Sequence, residues 1–492
     1  TGVQTCALPI CVFGLFLLLC LPFLVESYKA QYGPYTADCM SLIYRGVYMF
    51  DKRDSPRVRK DGRSEISLDI KVKPVNGTGQ LLGTVETLIT SEDVFKSIGY
   101  TDANGKRIAC CNEDAYKRNQ CKNQNRLIIP ESAMGNYTLD TTELNGQEGT
   151  INVKFSPKKT GIYYVLTAVC DYHISPMVIE GKMVVENPYG HLPAPEYGSL
   201  PFFSVMCIAY VVSLLVWGML CYRYSKEIMS VQIIIIAVLV SFVIDYAVKV
   251  LYLSVFNNTG NNVFLLSLLS IFFDSATRTL TRILTLIVCM GLGVCRAALG
   301  TETCKFVCFG VCYFLVSFWD AFCTTYPATT KTMEIIRLFV TSGLDALAYF
   351  WIFQSLMDTM EELAEKKQVA KLEIFSKLRT LLVVSVVLAT TTLIGFSYIV
   401  VYDYARTVWK YQWLINEAIW SIYYFLLFFC IMVMWKPSEN TAAYAYHLQV
   451  ATDAEANDEE YGLPNETLVA SEDEGAVVVN TISNDMKPMN MT

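Results

Sequence analysis

The sequence predicts three parts in series: an all-β sandwich outside the membrane, an all-α bundle of seven transmembrane helices, and a disordered acidic tail. Three observations carry this reading. Short alternating apolar runs, separated by turn residues, recur between residues 28 and 198. Seven apolar runs of spanning length follow between 199 and 435. Beyond 436 the chain turns polar and acidic. With 492 residues, 53% of them hydrophobic, and a mean hydropathy of +0.35, the chain is too apolar for an ordinary soluble protein. The net charge of −7 averages unlike parts, because ten acidic residues and one lysine lie from Thr441 onward. No basic patch is interleaved with aromatics, so nucleic acid is not an expected partner.

Residues 1–27 read as leader. TGVQTCALPI resembles a translated sequencing adapter, an assembly scar, and the apolar run from Cys11 to Leu24 reads as a secretory signal cleaved near Ser27. A signal would carry the next segment into the lumen, where disulfides persist.

Residues 28–198 are the expected luminal sandwich. In ISLDIKVKP the apolar residues Ile66, Leu68, Ile70 and Val72 alternate, the period of a half-buried strand. QLLGTVETLIT, TINVKFSP, GIYYVLTAVCDY and VIEGKMVVENP are further strands, and Asn76-Gly77, Asn104-Gly105 and residues 157–161 supply turns. Sequons at Asn76, Asn136 and Asn257 are glycosylation candidates on the luminal side, and Asn465, in the tail, is expected to stay unmodified. The domain holds five cysteines: Cys39, Cys110, Cys111, Cys121 and Cys170. Two readings of the odd number stand. One domain cysteine bridges to Cys323 at the outer end of a later span, or one thiol stays free and buried. No CxxC pair occurs and there are three histidines, so neither a metal nor another cofactor is expected.

The bundle, residues 199–435, divides into spans at about 200–222, 231–254, 263–295, 304–322, 335–356, 379–402 and 412–434. Basic residues cluster on one set of connections, among them Arg223, Lys305, Lys366, Lys367, Lys371, Lys377 and Arg379, which makes that side cytoplasmic and the sandwich side luminal. The third span carries Asp274, Arg278 and Arg282 at intervals of four, hence on one helix face. Each charge at mid-bilayer costs roughly 2.5–3.5 kcal/mol, so the face needs partners or water. Asp245 and Lys249 form an i,i+4 pair in the second span, Asp345 lies midway along the fifth, and Glu417 lies in the outer part of the seventh. Two readings stay open: structural ion pairs within the bundle, or a hydrated, outward-facing cavity among the second, third, fifth and seventh spans, with these seven residues as ion or lipid contacts. The link 357–377 is helical and mixed in charge. The tail, 436–492, is too charged to fold alone, and its acidic clusters suit sorting contacts.

Several blocks carry a family resemblance. These are Asn187-Pro-Tyr-Gly-His-Leu192, SVMCIAYVV, CYRYSKEIMSVQ, FNNTG, RTLTRILTLIVCMGLGVCRAALGT and IWSIYYFLLFFCIMVMWKPSENTAAYAY. In order and spacing they resemble the GOLD-domain seven-transmembrane family, of the transmembrane protein 87 type, across about 195–446. ACCNEDAYKRNQC looks more like plant and protist relatives than animal ones. The resemblance implies a GOLD-like sandwich, residence in Golgi and endosomal membranes, and support of transport from endosomes to the trans-Golgi. It also implies a lipid-accessible cavity under the luminal domain, and cation conduction or mechanical responses in some members. Asp245, Arg278, Arg282 and Glu417 fall at matching charged positions. Tyr246, Tyr252 and Ala297 depart from the pattern of animal members, and the loop YDYARTVWKYQW lacks their cysteine.

The function these features favour is trafficking. Its expected partners are a membrane lipid in the bundle cavity, a luminal cargo protein and sorting machinery at the tail. The alternatives are a cation channel responsive to voltage, pH or membrane tension, drawing on Asp245, Asp345 and Glu417, and an orphan receptor-like signalling protein. The receptor reading lacks both Asp-Arg-Tyr after the third span and Asn-Pro-x-x-Tyr in the seventh. An enzyme is not expected: the glycines at 291–293 form a lone pair within a span, and His173, His191 and His447 are scattered across compartments.

Overall fold

The computed structural model describes residues 31–437 except 76–79, 102–104, 106, 131–136, 172–175, 226–227, 293–301, 327–330 and 402–407. The leader, the sequons at Asn76, Asn136 and Asn465, and the acidic tail lie outside the described residues.

Eight strands make two antiparallel four-stranded sheets. One runs β1 (Gln31–Ala37), β10 (Met177–Glu186), β3 (Glu65–Pro74), β8 (Gly149–Phe155) in spatial order. The other runs β2 (Ser41–Met49), β9 (Gly161–Val169), β4 (Leu81–Ser91), β7 (Tyr137–Gly146). This is the sandwich the alternation predicts. Ile66, Leu68, Ile70 and Val72 all face inward and are buried against Val85, Ile89, Val165 and Val169 of the opposite sheet. Each such side chain contributes about 1.5–3 kcal/mol on burial. Strands β1, β2 and β7 lack a clean alternation in sequence, and pairing with buried neighbours decides them.

The excursion from residue 92 to 130 adds a third layer that periodicity does not announce. It holds a short helix (Glu92–Ser97), a two-stranded ribbon of β5 (Tyr100–Thr101) and β6 (Arg107–Ile108), and a second short helix (Glu113–Lys117). It covers Leu88, Leu166 and Ala168 on the outer face of the second sheet with Ile98, Cys110 and Leu127. The buried Glu86 carboxylate accepts the Leu127 N–H at 2.6 Å and Arg126 at 3.3 Å, so the layer also has a polar anchor. Two disulfides hold it, Cys110–Cys170 and Cys111–Cys121. The odd cysteine is therefore Cys39, and its thiol is exposed. This corrects both readings of the cysteine count. No bridge joins the domain to Cys323, and the unbridged thiol is not buried, because it sits in the turn between β1 and β2.

Seven long helices follow: α1 (Ser199–Arg223), α2 (Ser230–Thr259), α3 (Phe264–Cys289), α4 (Glu302–Thr325), α5 (Lys331–Glu365), α6 (Val369–Val401) and α7 (Ile419–Met434). A π turn, Leu414–Ala418, leads into α7. Among the described residues six of these stretches are long and apolar enough to cross a membrane, and α3, with Asp274, Arg278 and Arg282 along it, is not one of them. Helix α3 stops at Cys289, six residues before the expected end of that span, and Gly291 follows at φ +71°. The charged link is helical as expected, broken at Lys367, where φ is +51°.

The sandwich meets the bundle at a polar knot. Asn257, near the end of α2, donates from its amide to the Tyr189 carbonyl at 3.1 Å and accepts the Leu192 N–H at 3.1 Å. Its backbone carbonyl accepts the His191 N–H at 3.0 Å. Asn187 works from the other side: it accepts the Phe50 N–H at 3.0 Å and donates to the Leu192 carbonyl at 3.3 Å. Gly190, at φ +138°, is forced here, because a Cβ would lie 2.3 Å from the Asn257 carbonyl oxygen. Around the knot Phe50, Tyr48 and Trp409 pack ring to ring, and the Trp413 indole fills the space beside Gly198. The amide nitrogen that a glycan at this sequon would occupy thus spends one of its two N–H groups on the Tyr189 carbonyl. Asn257→Ala strands the Leu192 N–H and the Tyr189 carbonyl, and is expected to cost about 2–3 kcal/mol. A lowered thermal midpoint, together with new proteolytic cleavage near residue 190, checks this.

Candidate functional site

The site is built on α3, whose four-residue spacing sets Asp274, Arg278 and Arg282 on one face. In the first cluster Lys249 of α2 bridges two carboxylates, Asp245 at 3.0 Å and Asp274 at 2.6 Å. Arg278 closes the chain through Nε to Asp274 at 2.9 Å. Two carboxylates thus meet two cations, so the cluster is neutral as a whole. Lys249 also lies over the rings of Tyr246 and Phe203, at 5.3 and 5.7 Å. The second cluster begins one helical turn along. Arg282 reaches Asp345 of α5 at 3.4 Å, and the Tyr313 hydroxyl of α4 donates to the same carboxylate oxygen at 2.7 Å. The Arg282 guanidinium lies over Tyr349 and Tyr424, 4.7 and 5.7 Å from the ring centres.

The sequence-predicted residues are therefore strung along one face of α3 as two linked clusters. Glu417 stands apart in the π turn before α7, within electrostatic reach of Lys249 and Asp274. Exposure separates the residues further. The Asp245 and Asp274 side chains are 4% and 17% exposed, as structural partners should be, whereas Arg278 is 61% exposed. Tyr313 and Tyr424 lie within electrostatic reach of Arg278. Asp345 is 44% exposed. What results is a guanidinium at mid-helix, paired through Nε and otherwise exposed. Arg278 keeps guanidinium N–H groups beyond the Nε that Asp274 takes, and these can donate to phosphate oxygens.

A small cavity of about 20 Å3 lies next to Arg282, among Thr281, Thr285, Tyr349, Ser385 and Tyr424. It has room for about one water. Among the described residues no group of three or more His, Cys, Asp or Glu is placed to hold a metal ion.

Residues 198–442 match the family described as "GOST, seven transmembrane domain". The chain belongs to the GOST family. It is a multi-pass membrane protein of that family. Transmembrane protein 87B of Mus musculus is 24% identical over 345 residues, which cover 67% of this chain and 60% of that protein. Transmembrane protein 87A of Homo sapiens is 27% identical over 262 residues, covering 53% and 47% respectively. An uncharacterized protein of Schizosaccharomyces pombe is 24% identical over 452 residues, covering 88% and 86%. The GOST chain spans 60–62% of the length of the transmembrane protein 87B relatives it matches.

Residue by residue, this GOST bundle uses more than charge patterning finds. Tyr313, Tyr349 and Tyr424 surround Arg282, and Asp320 of α4 pairs with Arg337 of α5 at 3.2 Å. The signal available for the tyrosines is their hydroxyl. A phenol inside an apolar run needs a polar partner, and Arg282 and Asp345 are the candidates nearest in depth. Arg337 was readable as a charge near a helix start, but its partner on α4 depends on how the α4–α5 hairpin closes.

Proposed function

We propose that this GOST protein resides in Golgi membranes and supports membrane trafficking, retrograde transport from endosomes to the trans-Golgi in particular, while its bundle holds a membrane lipid by the headgroup. Family membership supports the Golgi assignment. The exposure of Arg278 supports the lipid reading: an arginine at mid-helix, paired only through Nε and exposed beyond it, suits a phosphate better than solvent-free packing does. In this reading the sandwich is luminal, delivered by a signal peptide, and carries glycans at Asn76 and Asn136. The lysine-rich α5–α6 turn then faces the cytosol, which accords with the positive-inside bias. The sandwich would receive cargo, and the acidic tail would meet sorting machinery.

The experiment is lipid mass spectrometry on gently extracted protein. A phospholipid is expected to co-purify with the parent protein and to fall at least about tenfold in Arg278→Gln, the loss of a charge-assisted contact worth about 1.5–3 kcal/mol. Parent protein that carries no lipid overturns the reading. In liposomes the same preparation is expected to pass no cation current, and a current abolished by Asp345→Asn would favour the channel instead.

A further inference from the structure

The loop joining β2 to β3, residues 51–63, reads DKRDSPRVRKDGR: six basic and three acidic side chains. Lys52, Arg53, Arg57, Arg59, Lys60 and Arg63 are all exposed, and so is Val58 in their midst. The loop is fixed in place. The Arg59 N–H donates to the Pro188 carbonyl at 2.9 Å, and the Gly62 N–H donates back to the Arg59 carbonyl at 3.0 Å. Gly62 packs so closely that a Cβ would lie 2.0 Å from the Pro188 oxygen.

Two contacts set its height relative to the spanning helices. The Arg59 guanidinium donates to Asn258 Oδ1 at 2.6 Å, in the last turn of α2. Arg57 lies within electrostatic reach of Tyr197, two residues before α1 begins. The apolar part of α2 runs up to Phe256, and that of α1 starts at Leu200. The loop therefore sits over the ends of α1 and α2, where hydrocarbon gives way to headgroups. Residues of α1 such as Val205, Ile208 and Val212 are exposed, as a lipid-facing surface requires.

We propose that this loop is a membrane-surface contact that recruits anionic lipid headgroups next to α1 and α2. Arg59 serves as the structural tether, and Lys52, Arg53, Arg57, Lys60 and Arg63 face the phosphates. Val58 meets the boundary between headgroups and acyl chains. Fixed basic side chains held within a Debye length of a bilayer concentrate acidic lipids beneath them, and an apolar residue among them adds the partition term of an interfacial anchor. The contact is independent of Arg278, which lies within the bundle, and of which leaflet the sandwich faces.

The test uses full-length protein in phosphatidylcholine vesicles with trace spin-labelled phosphatidylserine or phosphatidylcholine. The ratio of their association with the protein is read by electron paramagnetic resonance. The parent is expected to prefer phosphatidylserine by about threefold, and to lose the preference in about 0.5 M salt. Arg57→Gln/Lys60→Gln/Arg63→Gln, which keeps the Arg59 tether, is expected to bring the ratio near one. Arg57→Lys/Arg63→Lys is expected to retain it. No preference in the parent overturns the proposal, and so does a preference that survives in the glutamine variant or in high salt. The parent's response to salt is read without any variant, so a folding defect cannot mask the result.

Discussion

Lys249→Met is expected to destabilise the bundle by about 3–5 kcal/mol, the usual cost of removing one member of a buried ionic cluster. The reason is arithmetic of charge. Lys249 touches Asp245 and Asp274 together, and without it two carboxylates are left with Arg278 alone. Asp245 suffers more, because it is almost fully enclosed and one of its oxygens already lacks a hydrogen-bond partner among the described residues. The thermal midpoint of detergent-solubilised protein, followed by size-exclusion chromatography, reads the loss. Asp245→Asn combined with Lys249→Met restores neutrality and is expected to recover most of it. A single variant that melts with the parent would show that water, not protein, balances these charges.

Removing the Cys110–Cys170 disulfide by paired serine substitution is expected to cost the sandwich about 4 kcal/mol, and removing Cys111–Cys121 about 3 kcal/mol, on a chain-entropy reckoning. The difference follows from sequence separations of 60 and 10 residues. The first bridge also pins the 92–130 layer to the end of β9, over Leu88, Leu166 and Ala168. Its loss should expose that apolar face while both sheets persist. Limited proteolysis is expected to cut between residues 112 and 126 well before any cut within β3 or β9. Equal resistance in parent and variant would mean that Glu86, through Leu127 and Arg126, holds the layer without the covalent link.

What could be read in the sequence follows from what is local. The alternation at residues 66–72 is a property of one strand, and the structure buries those four side chains as it demands. The seven apolar runs are likewise local, and so is the spacing of Asp274, Arg278 and Arg282. The partners across helices were not legible. Asp245 and Lys249 share a helix and were readable as a pair, but Asp274 joins them only because α2 and α3 pack antiparallel with Ser241 opposite Thr277. Asn257 reads as a sugar acceptor because a sequon is a three-residue pattern, whereas its contacts depend on a turn 65 residues away in sequence. The third layer of the sandwich escaped for a related reason. Its residues cover the outer face of a sheet that alternation alone would leave to solvent.

The seam between sandwich and bundle has a mechanical corollary. Gly190 and Gly198 leave no slack against Asn257 and Trp413, and Phe50 and Tyr48 stack on Trp409. A tilt of the upper half therefore cannot be absorbed at the joint. It is delivered as torque to the top of α2 and to the segment that enters α7. Those two helices carry Lys249 and Tyr424, so the joint and the charged clusters on α3 are coupled through the same two helices.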